Sequence, residues 1–168
     1  MHEPDHQDTY FAPVDEQLGR FIDQHRSMLA HSLDGLTEDE ARRRLVPSKT
    51  TLLGLVKHAT FVERVWFGEA ATGASRAELG IPETPDESFN LTETHTIESV
   101  LDGYTRAVEL SRRAVEGLNG DDLLPGNRRG PLPLRWVQQH MFRELAQHCG
   151  HADILRELIM AARTTRPD

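Results

Sequence analysis

Four stretches of the chain repeat apolar residues every three to four positions, the period of a helix that buries one face. The first spans about residues 13 to 34, where Leu18, Phe21, Ile22, Met28 and Leu29 form a stripe that His25 shares. Pro13 suits its first turn, because the missing N–H has no helical partner there, and Gly35 supplies a stop. The second begins near Thr51 and carries Leu52, Leu55, Val56, Ala59, Val62 and Trp66 on one face, with His58 beside it. The third resumes near Ile97 through Val100, Leu101, Tyr104, Ala107, Val108, Ser111, Val115 and Leu118, and stops before Gly120. The fourth runs from Leu134 to about 162, with Val137, Met141, Leu145, Ala152, Leu155 and Ile159 as its apolar members.

The segments between are shorter on information. Residues 1 to 12 read as a loose arm. Thr37 and Glu40 have capping-box spacing and open a short helical turn that Pro47 ends. Residues 70 to 95 are rich in Gly, Pro, Ser, Thr and acids without a sustained period, which is long for a loop in a compact domain and suits a crossover, a lid or an insertion. DDLLPGNRRGPLP reads as a plain break, and no stretch reads as a strand. Four long helices and little else give an all-α four-helix bundle, and the 168 residues suffice for one domain with a core, spanning 1–168.

Composition narrows the function classes. With 38% hydrophobic and 27% charged residues, the chain falls among ordinary globular proteins. Its apolar runs are far shorter than the ~20 residues of a spanning helix, and MHEPDHQDTY lacks the parts of a signal peptide, so a cytoplasmic protein is expected. A net charge of -8 argues against a nucleic-acid partner, and the Arg-rich ARRRL and GNRRG are brief enough to be solvated turns.

The chemistry concentrates in QHMFRELAQHCGH. His140, Glu144 and His148 are spaced i, i+4, i+8, and with His151 they fall within ~80° of arc at roughly 100° per residue. Val137, Met141, Ala152 and Leu155 share that sector, so the polar residues interrupt a core-facing stripe. A glutamate turned inward needs a cation or a proton. Glu144 and His148, one turn apart, can reach one ion, and His58 can add a third ligand from helix 2. A His, Glu, His set with open positions suits Zn²⁺, Ni²⁺ or Fe²⁺. The competing reading keeps each histidine as a satisfied core or boundary residue, and that is the reading for His25 and His31. His140 and His151 could orient a ligand, with His151 also an alternative ligand, or lie at the edge of the stripe. Cys149 has His148 about 100° and His151 about 200° around the helix, so neither is placed to take its proton.

The segments TTLLGLVKHATFVERVWF and LPLRWVQQHMFRELAQHCGHADILRELI resemble the second and fourth helices of the DinB-like superfamily, which includes YfiT-type metal-dependent hydrolases and mycothiol-dependent maleylpyruvate isomerase. The resemblance implies a bundle of up-down-down-up order with residues 70 to 95 as the crossover between helices 2 and 3. It implies a divalent metal, Zn or Ni, held by a histidine of helix 2 and two residues four apart on helix 4, which map to His58, Glu144 and His148. Glu144 departs from the commoner histidine, as the maleylpyruvate isomerase branch also does, and His151 stands where the common motif has glutamine. A low-molecular-weight thiol such as mycothiol or bacillithiol is the implied cosubstrate.

Two functions follow as expectations. One is a metal-dependent thiol transferase, isomerase or hydrolase acting on a small molecule, in which the ion activates a thiol or a water. The other is a non-catalytic metal-binding or stress-related helical interaction protein. A homodimer formed through exposed helical faces is expected with either.

Overall fold

In the computed structural model the described residues are 9–164; residues 1–8 of the expected N-terminal arm lie outside them. In what is described of that arm, Arg20 donates to the Thr9 hydroxyl at 2.7 Å and the Gln17 amide donates to the Ala12 carbonyl at 2.8 Å, while Tyr10 and Phe11 are exposed. The described residues are mostly helical, with one small two-stranded sheet. The long helices are α1 (Val14–His31), α2 (Leu52–Glu63), α3 (Ile97–Ala114) and α4 (Leu134–Thr164). Thr51 and Thr96 cap α2 and α3, each hydroxyl accepting from the backbone N–H three residues on. The expected turn at Thr37 is present as Glu38–Ala41, with a reciprocal capping box between Thr37 and Glu40.

Side-chain contacts fix how the helices run. Along α1 and α4 the Cys149 thiol meets the His25 carbonyl, Arg156 donates to the carbonyls of Ser32 and Asp34, and Arg163 to that of Gly35. Both numbers rise together, so the two helices lie parallel. His58 meets His148 while Trp66 meets His140 and Trp136, so α2 runs against α4. The core between them is built from Leu29, Leu52, Leu55, Val137, Met141, Leu145 and Ile159, all but sealed from solvent. Each such side chain contributes about 1.5–3 kcal/mol by leaving water.

Three details depart from the sequence pattern. α2 is buried on nearly every side, including Leu53, Gly54 and Phe61, because α3, α4 and the crossover surround it. It then widens into a π-helical turn, Arg64–Glu69, whose looser winding turns Val65, Trp66 and Phe67 all inward. In α1, Phe21 and Met28 are exposed, and the buried positions are Ile22, Arg26 and Leu29. Arg26 carries its charge inward because Glu63 of α2, fully buried, accepts two hydrogen bonds from it at 2.8 Å each.

The segment read as a plain break forms a hairpin instead, β1 (Leu123–Asn127) against β2 (Gly130–Pro133), with Leu124 opposite Leu132 and Asn127 opposite Gly130. The register slips between Leu124 and Asn127, where Gly126 has φ 82° and any β-carbon would collide with the Gly130 carbonyl. Three prolines and two glycines hid these strands, which are held by backbone pairing and by the buried Leu124.

The stretch 70–95 has no long helix but is far from featureless. It holds the helical turns Ala70–Thr72 and Arg76–Leu79 and the 3₁₀ turn Glu87–Phe89. Gly73, at φ 72°, ends the first of these in the left-handed conformation a glycine reaches without strain. The segment is pinned to α2 and its flanks: Arg64 donates to the Leu79 carbonyl, Lys57 to that of Ser88, and Arg42 of the ARRRL piece to that of Thr92.

Candidate metal centre

α2 and α4 pack against each other, and the middle of one passes the middle of the other. His58 projects from α2, and Glu144 and His148 project from successive turns of α4. One potential ligand atom from each lies within 4.8 Å of the other two. His58 and His148 meet edge to face with ring centroids 4.9 Å apart. Glu144 and His148 occupy the flank of the buried stripe rather than its centre, with side chains 25% and 12% exposed, while Leu145 and Cys149 take the centre. The site is therefore lined by protein and open on one side.

Hydrogen bonding distinguishes the two imidazoles. His58 places Nδ1 2.6 Å from the Ser88 hydroxyl and stacks on Phe89 at 4.2 Å with the planes 14° apart. Burial, then the neighbouring His148, hold its pKa down at about 4, with Lys57 acting the same way and Glu144 opposing. It is neutral near pH 7, as a ligand imidazole must be. His148 has no such support: both ring nitrogens are buried and neither has a hydrogen-bond partner among the described residues. A buried polar atom left unpaired costs about 1–3 kcal/mol, and an ion between the three side chains would supply what is missing.

Glu144 faces His148 Nε2 from Oε2 at 3.7 Å, a contact longer than a hydrogen bond. The imidazole of His148 is the chief influence holding the Glu144 carboxyl below the usual range; burial opposes it, and His140 and Arg143 add to the lowering. The site thus offers one carboxylate and two imidazoles, a donor set suited to a first-row divalent cation with positions left for water or substrate.

The other histidines separate from these three. Arg143 donates to His140 Nδ1 at 2.8 Å, and since a guanidinium can only donate, the His140 proton sits on Nε2, which faces Glu144 Oε1 at 3.6 Å. That leaves His140 without a lone pair for an ion and beside the carboxylate, packed between Trp66 and Trp136. His151 is exposed, its ring 5.8 Å from that of His148 and outside the three-residue cluster. His25 is half-buried beside Phe142 of α4 and His31 is exposed at the end of α1, each with Nδ1 against the carbonyl four residues earlier.

Three contributors have no signal in the helical pattern. Ser88 and Phe89 come from the aperiodic crossover, and Arg129 reaches from the hairpin turn to lie 5.2 Å over Trp66. The Arg26 and Glu63 pair did have one, a charged residue set among apolar positions on each of two helices.

A family model described as mycothiol-S-transferase matches residues 17–161, a span that holds all of these side chains. No curated protein matches the chain.

Proposed function

The chain belongs to the mycothiol-S-transferase family, a DinB-like family, and from that premise we propose that it joins the sulfur of mycothiol to an electrophilic small molecule at a divalent-metal centre formed by His58, Glu144 and His148. The observation that carries the reading is His148, whose two buried nitrogens lack partners among the described residues while a second imidazole and a carboxylate converge on the same point. A divalent ion such as Zn²⁺ or Ni²⁺ held there supplies a Lewis acid that lowers the pKa of an adjacent thiol toward neutrality.

The protein's own groups supply the rest. Glu144 brings the negative charge that offsets the cation and, with His140 Nε2–H beside one oxygen, is turned toward the cluster. The neutral state of His58 means that no proton has to leave it near pH 7 before it can coordinate. Cys149 does not compete as the nucleophile: burial, helped by Asp153, pushes its thiol up to about 11. The sulfur that reacts is therefore the cosubstrate's.

The parallel α1 and α4 and the antiparallel α2 support the up-down-down-up DinB-like bundle, in which residues 70–95 cross between α2 and α3. A single domain over 1–168 and a cytoplasmic homodimer belong to the same proposal. Exposed Phe21, Met28, Ile154 and Leu158 offer apolar side chains on the outer faces of α1 and α4 for pairing, which sedimentation would detect.

The test begins with metal. Protein purified without added metal and then loaded with Zn²⁺ or Ni²⁺ should retain close to one equivalent after desalting. His58→Ala and His148→Ala should each lose most of it with helix content unchanged, and Glu144→Gln should bind more weakly through loss of charge. Wild-type protein that retains none defeats the metal reading. Loaded protein that binds metal yet consumes no mycothiol with a panel of electrophiles defeats the transferase reading alone.

A further inference from the structure

Ser88 lies in the crossover, 30 residues from His58 in sequence, yet its side chain is almost wholly buried against that ring. We infer that Ser88 is a positioning residue for the metal centre: it fixes the proton of His58 on Nδ1 and so leaves the Nε2 lone pair free for an ion that would bind among the three side chains. The inference rests on the metal reading given above.

Proton accounting decides the direction of the bond. The Ser88 hydroxyl has one proton, and its Oγ lies 2.5 Å from the Pro85 carbonyl, which can only accept. With that proton committed, the same oxygen can only accept from His58, so the 2.6 Å contact is Nδ1–H donating to Ser88 Oγ. The opposite tautomer would put two lone pairs face to face at Nδ1 and a proton at Nε2, where the cluster needs a donor pair. His148, which has no hydrogen-bond partner on either nitrogen among the described residues, is not preset in this way.

The strap bearing Ser88 is itself held against α2. Lys57 donates to the Ser88 carbonyl at 2.9 Å, Lys49 pairs with Asp86 at 2.5 Å, and Phe89 covers the face of the His58 ring. Its close approach depends on Gly54, where a β-carbon would stand 3.0 Å from Thr51 Oγ1 and 3.3 Å from the Phe89 carbonyl oxygen. Residues 85–89 therefore act as a second support for the ligand, joining the crossover to the centre. Removing an outer partner of this kind lowers metal affinity by about 10–100-fold.

The experiment reads the tautomer and the affinity separately. Long-range ¹H–¹⁵N spectra of metal-free wild-type protein at pH 7 should show His58 protonated on Nδ1 and bare at Nε2. Ser88→Ala should lose that preference, and Zn²⁺ titration against a chromophoric chelator should give a dissociation constant about 10–100-fold higher. A wild-type spectrum with the proton on Nε2 overturns the inference whether or not the variant folds. Wild-type and Ser88→Ala binding Zn²⁺ equally well would overturn it while leaving the metal site intact. Wild-type protein that binds no Zn²⁺ would remove the metal reading, and the inference with it, whatever the tautomer.

Discussion

Cys149 stands between His148 and Gly150 in the chain, one residue from a candidate ligand, yet its thiol points away from the centre and meets the His25 carbonyl at 3.4 Å. With burial pushing it up to about 11, the thiolate is scarce at ordinary pH. Folded protein at pH 8 should react with a disulfide reagent at least about 100-fold more slowly than denatured protein, following the thiolate fraction and access. Rapid labelling of the native protein would show that Cys149 is reachable and reopen it as a nucleophile. The contrast shows what a helical arc can tell. Glu144 and His148 were legible because residues four apart face one way, and His58 because it borders an apolar stripe on another helix. The same arc also includes His140 and His151. What separates them is contact with Arg143 for one and exposure for the other, neither of which periodicity encodes. Ser88 was beyond reach for a plainer reason: its partner is 30 residues away and its own segment has no period.

Between elements, the largest single commitment is the buried pair of Arg26 on α1 and Glu63 on α2, which also takes in Asp23 through Arg26 Nη1 at 2.9 Å. Its pairing energy is largely spent on leaving water, so the pair does little for net stability but is costly to break. Arg26→Ala should therefore destabilise the protein by about 3–5 kcal/mol in urea unfolding, by stranding the Glu63 carboxylate. Replacing both partners by apolar residues, as in Arg26→Met with Glu63→Leu, should cost much less than the two single changes added together. Additive losses would mean that the two side chains act independently. Helix identity and approximate extent were open to sequence reading because buried faces impose a period. The π turn was not, since its extra residue per turn shifts the phase just where Trp66 has to reach His140. Nor was the hairpin, whose strands are held by backbone rather than by alternating side chains.

The centre couples folding to pH and to metal. His58 has a folded pKa of about 4, below the ordinary 6.5, so on acidification the unfolded chain takes up a proton first. Its contribution to stability is thus complete above about pH 6.5 and is lost as pH falls toward 4, at a rate of at most about 1.4 kcal/mol per pH unit. Burial lowers His140 in the same direction, and the lowered Glu144 carboxyl adds a loss at still more acid pH. Metal adds a second dependence. An ion that binds only the folded protein stabilises it by about 2.7 kcal/mol at a hundred times its dissociation constant. Protons compete for the same imidazoles, so that increment should shrink with acidification. Urea unfolding with chelator and with excess Zn²⁺, each at pH 7.5 and pH 5.5, measures both effects. The expected result is lower stability at pH 5.5 in chelator, and a gain from Zn²⁺ that is larger at pH 7.5. If Zn²⁺ leaves the unfolding midpoint unchanged at pH 7.5, the three side chains hold no ion. A gain of equal size at both pH values would mean that the ion binds away from the histidines.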